Sequence, residues 1–493
     1  MILIPLPRMK SSVIFLLLLA VLIPLNACHQ VQVTPTPNTV TVLYTNDEHG
    51  WISGVEEDKG AANLAGLWDE AGYAKDERLL ILSGGDNWTG PAVSTWHMGE
   101  STVEVMNALG YDAAALGNHE FDFGMETLEE RIAQADFPYL SANMRYRSNG
   151  QVPADLGILP YTIIQLAGLK IGIIGLSTIH TPEVTNPEYV ADFEFLPYRE
   201  TLEEYLPRMR QEGAQIIFVI AHICSDELTR LALQLKSHEI VFLGGGHCHE
   251  YFARGVAGSV LMSAGSRLEG YGLARFEFNP RTGQTRVINY ANLVNTNGRP
   301  NPEIARIINR WEAQIEAELG EVIGYLKEGI PRQSRLMEGM ITHAWLEGYP
   351  EADAAITNRG GIREGLPPGE ITPAHIINVL PFNDTLVAVR LNGDQLTRIL
   401  ERSKSPAYGG VKPAGAGWVM AGTGEPLSAD KLYTVLVNDF MYAGGDSYEE
   451  LAEYDPDAVF TSIGWREPLI EWIKNQHSSQ QNPLDSALEK LVQ

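Results

Sequence analysis

The tightest constraint in this sequence is a recurring event: a short apolar run ends, and a metal-type side chain follows within a few residues. Val42-Leu43-Tyr44 leads into Asp47-Glu48-His49, and Leu79-Leu80-Ile81-Leu82 leads into Gly84-Gly85-Asp86. Ile216-Ile217-Phe218-Val219-Ile220 leads into His222, and Ile240-Val241-Phe242-Leu243 into Gly244-Gly245-Gly246-His247-Cys248-His249. Among them stands Gly117-Asn118-His119-Glu120-Phe121-Asp122-Phe123-Gly124. Short apolar runs bounded by Gly or Asp, several of them β-branched, read as buried strands. Ligands of α/β sheets bind beyond the carboxyl ends of the strands. The pattern therefore predicts one site built by several strand ends, with enough Asp, Asn and His to hold two divalent ions.

Residues two apart on a strand face the same side, so alternation predicts that Asp47 and His49 converge on one ion. Asp86 follows a strand and two glycines, which let the backbone approach a ligand closely; a carboxylate there can bridge two cations. Taken singly, Asp-x-His is also a surface pair, Gly-Gly-Asp a turn, and His222 a core histidine. Asn118-His119-Glu120 after a glycine and His247-Cys248-His249 after three glycines are more specific. Cys224 and Cys248 each lie close to candidate histidines. A disulfide, a thiolate ligand and two small buried side chains are all open to them, and the last is the expectation here.

The chain has 493 residues, enough for two or three domains, and a formal net charge of −26. That charge argues against nucleic-acid or anionic-membrane binding. An anionic substrate would need positive field supplied locally, by metal ions or a few arginines. Arg8 and Lys10 precede an apolar stretch running from Val13 to about Leu25, too short to span a membrane comfortably and so read as a cleaved export signal; Met9 is an equally good start. Leu25-Asn26-Ala27-Cys28 resembles a bacterial lipobox, with Asn a poor fit at its second position. It implies lipid on Cys28, with an ordinary signal peptide as the alternative. Residues 1–28 are then signal and 29–39, with Thr-Pro-Thr-Pro, a tether.

Ile304, Ile307, Ile308, Trp311, Ile315 and Leu319 have helical spacing, opened by Asn301-Pro302-Glu303. This helix, within 300–326, divides catalytic residues 40–295 from a second domain, 327–493. It is either packed on one domain or a hinge. In the second domain, Asn358-Arg359-Gly360-Gly361-Ile362-Arg363 reads as a turn bearing arginines suited to phosphate or carboxylate. Phe382 and Phe440 sit beside turns, where aromatics can sandwich a base. Asp446 could meet sugar hydroxyls.

Thr45-Asn46-Asp47-Glu48-His49-Gly50, Gly85-Asp86, Gly117 to Asp122, Ala221-His222 and Gly246 to His249 resemble, in order, the motifs of calcineurin-like metallophosphoesterases. The extension Phe121-Asp122-Phe123-Gly124 resembles the 5'-nucleotidase family specifically, as do the motifs of the second domain. The resemblance spans about residues 40 to 475. It implies a four-layer α/β/β/α sandwich followed by a smaller α/β substrate-binding domain. It puts Asp47, His49, Asp86 and His249 on one metal, and Asp86, Asn118, His222 and His247 on the other. His119 and Asp122 become the catalytic pair. Arg359 and Arg363 would hold phosphate, with Arg332 near another expected phosphate-binding position. Asn358 would contact the base, Phe382 and Phe440 clasp it, and Asp446 bind ribose. Cys224 departs from the family's usual small residue, and Met337-Glu338-Gly339 from its usual Leu-Gly-Asn. The implied cofactors are two ions of Zn, Mn or Fe, between which imidazole and carboxylate ligands do not choose. The implied activity is removal of the 5'-phosphate of nucleotides. Cleavage of nucleotide sugars or 2',3'-cyclic nucleotides is compatible. A thiosulfohydrolase and a nucleotide-binding lipoprotein without turnover are the competing readings.

Overall fold

The apolar runs become the central strands of two sheets that face each other. The computed structural model describes residues 38–491 apart from 57, 74–75, 236–239, 416 and 490. The expected signal, the Cys28 anchor and nearly all of the tether lie outside the described residues. The first sheet has six strands in the order Gln284–Val294, Gly270–Asn279, Thr39–Thr45, Leu79–Ser83, Ala113–Ala115 and Tyr139–Leu140. The second, also of six, runs Tyr251–Val256, Ser259–Ala264, Phe242–Gly244, Ile216–Ala221, Leu169–Leu176 and Tyr161–Leu166. Thr39–Thr45 pairs in parallel with Leu79–Ser83, setting Tyr44 beside Leu82, so the ends of the central strands point the same way.

Val42, Tyr44 and Leu82 of the first sheet pack against Ile173, Phe218, Phe242 and Met262 of the second, forming the core between the sheets. Outside the first sheet lie the helices Ala61–Glu70, Glu100–Leu109 and Gly124–Gln134; outside the second lie Tyr198–Gln211 and Ser225–Gln234. This is the four-layer α/β/β/α arrangement.

The helix Pro302–Leu319 opens at Asn301, whose side chain accepts from the Glu303 and Ile304 N–H groups. Its apolar face, Ile304, Ile308, Trp311 and Ile315, joins the core outside the first sheet. Trp311 Nε1 donates to Glu104 at 2.8 Å. The helix packs on the first sandwich and also meets Ile377 of the C-terminal half in the same core. The helix stops at Leu319, and Gly324 opens the strand Gly324–Leu326. The C-terminal half holds a five-stranded sheet in the order Ala407–Gly409, Ala354–Thr357, Leu432–Asn438, Thr385–Asn392 and Val459–Gly464. The helices Arg335–Gly348 and Glu467–Asn475 share a core with one face, and Gly393–Leu400 with the other. The described residues from Asn38 onward form one compact unit. Among the described residues no helix is long and apolar enough to cross a membrane.

Candidate metal centre and substrate cleft

Strand alternation is not what brings Asp47 and His49 together. The strand ends at Thr45, and both residues turn into left-handed backbone, with φ of 52° and 46°. Asp86 (59°), His247 (73°) and His249 (53°) do the same. Such backbone costs a non-glycine residue on the order of 1–3 kcal/mol and persists only where its surroundings fix it. Here they do. The backbone N–H of Asp47 donates to Gly85 O and that of His49 to Asp86 O, both at 2.9 Å. Buried Glu120 accepts from the backbone N–H of Asp86 (2.9 Å), Asn87 (2.6 Å) and Gly117 (2.6 Å). Asn46 Nδ2 donates to Asp47 Oδ2 at 2.6 Å.

The side chains so aimed form two adjoining nests. Donor atoms of Asp47, His49 and His249 lie within 4.8 Å of one another, and so do those of Asp86, His222 and His247. Asp86 also groups with His49 and His119, which sets it between the nests. His222 Nδ1 donates to Gly84 O at 2.9 Å and His49 Nδ1 to Thr89 O at 3.0 Å. Each bond turns the other ring nitrogen inward, the arrangement by which backbone carbonyls orient metal-binding imidazoles. The Nε2 atoms of His49 and His249 face each other at 3.0 Å. His222 Nε2 is buried and lies 2.9 Å from Asp86 Oδ2. Asn118 Oδ1 is 3.1 Å from His247 Nδ1.

Charge agrees with geometry. Burial, reinforced by His222, lowers His247 to about 3; burial and then Arg363 lower His249 to about 4. Both imidazoles are thus neutral and available as ligands. Burial would raise Asp86, but His222, His119 and His49 outweigh it and hold the carboxyl well below its usual range. Burial drives Asp47 up to about 7, a cost that a cation would offset. These residues fit divalent ions.

His119 stands beside the nests, its Nδ1 2.7 Å from Asp122 Oδ2. Burial opposes charge on this imidazole, but Asp122 and Asp86 outweigh it and raise the pKa. A cavity of about 270 Å³ opens in front, lined by Asp86, Asn118, His119, His247 and His249 from the sandwich and by Asn358, Arg363, Phe382, Phe440 and Asp446 from the C-terminal half. Asp446 accepts from Asn358 Nδ2 at 2.8 Å. Phe382 stacks on His119, with ring centres 5.6 Å apart and planes 19° off parallel.

Two arginines named from the sequence stay outside the cavity lining. Arg359 turns away because Glu338 takes both its Nε (2.6 Å) and Nη2 (3.2 Å), while Ser405 takes Nη1. Arg332 donates to Ile362 O at 2.7 Å. Conversely, Asp384, Asp439, Asn186 and Tyr189 line the cavity and were not singled out from the sequence. Asp384 follows Pro381-Phe382-Asn383 directly, the one nearby signal. Nor are Cys224 and Cys248 two buried side chains. They are joined as a disulfide, and Cys248 is exposed, because the loop bearing the histidines folds back against the start of the helix Ser225–Gln234.

Fold and donor set agree with one another: a four-layer sandwich that carries two His/Asp nests, followed by a C-terminal half similar to a nucleotidase domain. Residues 322–453 match the family model of the 5'-nucleotidase C-terminal domain. The whole chain is similar to Protein UshA of Salmonella pullorum, 28% identical over 91% of this chain and 92% of that one. It is also similar to a 5'-nucleotidase of Vibrio cholerae, 27% identical over 88% and 90%. Its fold matches the crystal structure of the 5'-nucleotidase precursor from Thermus thermophilus, with a TM-score of 0.77, 24% identity, and coverage of 90% of this chain and 97% of that one.

Proposed function

We propose that this protein is an exported phosphohydrolase, dependent on two divalent ions, that removes the 5'-phosphate of nucleotides to give nucleoside and phosphate. The observation that carries it is the single cavity lined both by the His/Asp nests and by Arg363, Phe382 and Phe440. Its two sides suit the two ends of a nucleotide. Asp47, His49, Asp86 and His249 would hold one ion, and Asp86, Asn118, His222 and His247 the other. Bound there, the ions supply Lewis-acid stabilisation at phosphorus and lower the pKa of water.

The chain's own groups do the rest. Arg363 would grip the phosphate, Phe382 and Phe440 the base, and Asn358 and Asp446 the nucleoside. Substrate entry requires Phe382 to leave the face of His119. Asp122 keeps Nδ1–H of His119 engaged, so that Nε2 can present a proton to charge developing on the 5' oxygen. In this reading the sandwich, about 40–295, is catalytic, the 327–493 region selects substrate, and the helix segment 300–326 joins them. The Cys224–Cys248 disulfide supports export, since such bonds persist in oxidising compartments; lipid on Cys28 belongs to the same reading. The test is phosphate release from AMP, ADP, ATP, UDP-glucose and 2',3'-cyclic AMP, with and without chelator. Chelator-sensitive release from AMP is expected. Sulfate release from a sulfonate conjugate with no phosphate release from AMP, or AMP binding without release in added Mn or Zn, would replace this reading.

A further inference from the structure

The chemistry above gives no task to the disulfide, yet it sits within the ligand loops. The strand Ile216–Ala221 delivers His222, and Cys224 follows as the residue capping the helix Ser225–Gln234. Cys248 stands between His247 and His249, whose φ values of 73° and 53° are left-handed. The bond joins positions 24 residues apart, with Cα atoms at 5.2 Å. Other ties lie around it. Gly246 N donates to Ile223 O at 3.2 Å, and Glu250 accepts from Ser225 N (2.7 Å) and Oγ (2.6 Å). Across the site, His247 N donates to both oxygens of Asp47 at 3.1 Å. A short loop in unfavourable backbone is thus anchored at one end by a candidate ligand and at its middle by a covalent bond.

We propose that the Cys224–Cys248 disulfide is a positioning clamp for the metal centre, holding His247 and His249 against His222 so that cation retention depends on the bond being intact. This rests on the two-ion reading of the site. Left-handed residues need their surroundings to fix them, and a cross-link removes the alternative conformations of the loop. Partners that orient ligands are worth roughly 10–100-fold in metal affinity. Cys248 is exposed, so a soluble reductant can reach its sulfur. With a water-soluble phosphine, two electrons pass from phosphorus to the disulfide and the S–S bond breaks. Two protons from water complete the thiols, and the water oxygen ends on the phosphine oxide.

The test loads the full chain with zinc and follows its release to excess chelating dye, before and after phosphine reduction, with far-UV circular dichroism in parallel. Release about 10–100-fold faster after reduction, with secondary structure unchanged, is expected. Reoxidation with oxidised glutathione should slow it again. A C224S/C248S variant should release zinc as the reduced protein does and ignore the phosphine; if that variant fails to fold, reduction of the folded wild type decides alone. Release unchanged within twofold, slower release, or release accompanied by global unfolding overturns the clamp. Failure of the oxidised protein to take up zinc or manganese overturns the metal reading instead.

Discussion

Replacing Gly117 by alanine probes how tightly Asp86 is held between the two nests. Gly117 does not occupy left-handed backbone, so alanine brings no conformational strain of its own. It brings a clash: an added Cβ would lie 2.1 Å from Asp86 Oδ1, 2.6 Å from Asp86 N and 2.8 Å from Asp86 Cγ. Normal contact requires the carboxylate to retreat by about 1 Å. The backbone cannot readily follow, because Glu120 Oε2 holds Asp86 N at 2.9 Å. Overpacking of this kind costs about 1–3 kcal/mol of stability. Metal sites tolerate roughly 0.2 Å at a ligand, and a 1 Å misplacement at a reacting centre costs about 100-fold. Gly117→Ala should therefore lower both zinc affinity, measured by chelator competition, and phosphate release from AMP by about 100-fold. Gly339→Ala is the control. It lies inside the helix Arg335–Gly348 with no atom within 4 Å of the new Cβ, so it should stabilise the protein by about 0.5–1 kcal/mol. Retention of zinc affinity and turnover within threefold in Gly117→Ala would refute the account of how Asp86 is positioned.

Removing the imidazole of His119 should cut turnover by about 10²–10⁴ while bound metal, measured by elemental analysis, is retained; loss of metal would make His119 a ligand. Arg363→Ala should lower kcat/KM for AMP by about 10–100-fold, the worth of a charged hydrogen bond, whereas Arg359→Ala should stay within threefold, its partner Glu338 lying outside the cavity. Burial raises Asp112 from 3.8 to about 6, although the Ile81 N–H pulls it down. Because the folded pKa exceeds the unfolded one, this carboxyl binds protons more readily when folded, and its contribution declines as pH rises from about 4 to 6. Asp112→Asn keeps an acceptor for Ile81, so urea unfolding should find it up to about 3 kcal/mol more stable than wild type at pH 7.5 and nearly equal at pH 4. Equal differences at both pH values would exclude that origin.

The strands were legible because Val42, Leu80, Phe218 and Phe242 belong to runs that only a doubly covered sheet can bury. The Pro302 helix was legible because its cap and its apolar stripe agree. What the sequence hid is direction. Alternation predicted the convergence of Asp47 and His49 for the wrong reason, since it assumes a strand where the chain has turned left-handed. Aspartate and histidine are several-fold enriched there, yet only a small share of them adopt it, so residue type alone does not announce it. It is imposed by distant partners such as Glu120 and the Gly85 carbonyl. The pairing of Arg359 is hidden for a similar reason: a turn with two arginines does not say which one meets a carboxylate first, and Glu338 lies 21 positions away.

Under the proposed function, the distribution of charge in the cavity accounts for how a chain of net charge −26 would take an anionic substrate in one orientation. Arg363 is half-buried in the cavity wall, and its charge couples to Asp122 and Asp86, on the side where cations would add to it. Asp384 and Asp439 line the same cavity, and burial raises the pKa of both. Ionised, they repel a phosphate; protonated, they offer it no positive charge, so in the proposed reading the phosphate would go to Arg363 and the metal nests in either state. In the proposed reading the base would fall to the side of Phe440, where carboxyl oxygens suit the amino groups of a heterocycle better than a phosphate. Overall acidity is therefore compatible with phosphate chemistry, because the field that matters is set within one cavity and by few groups.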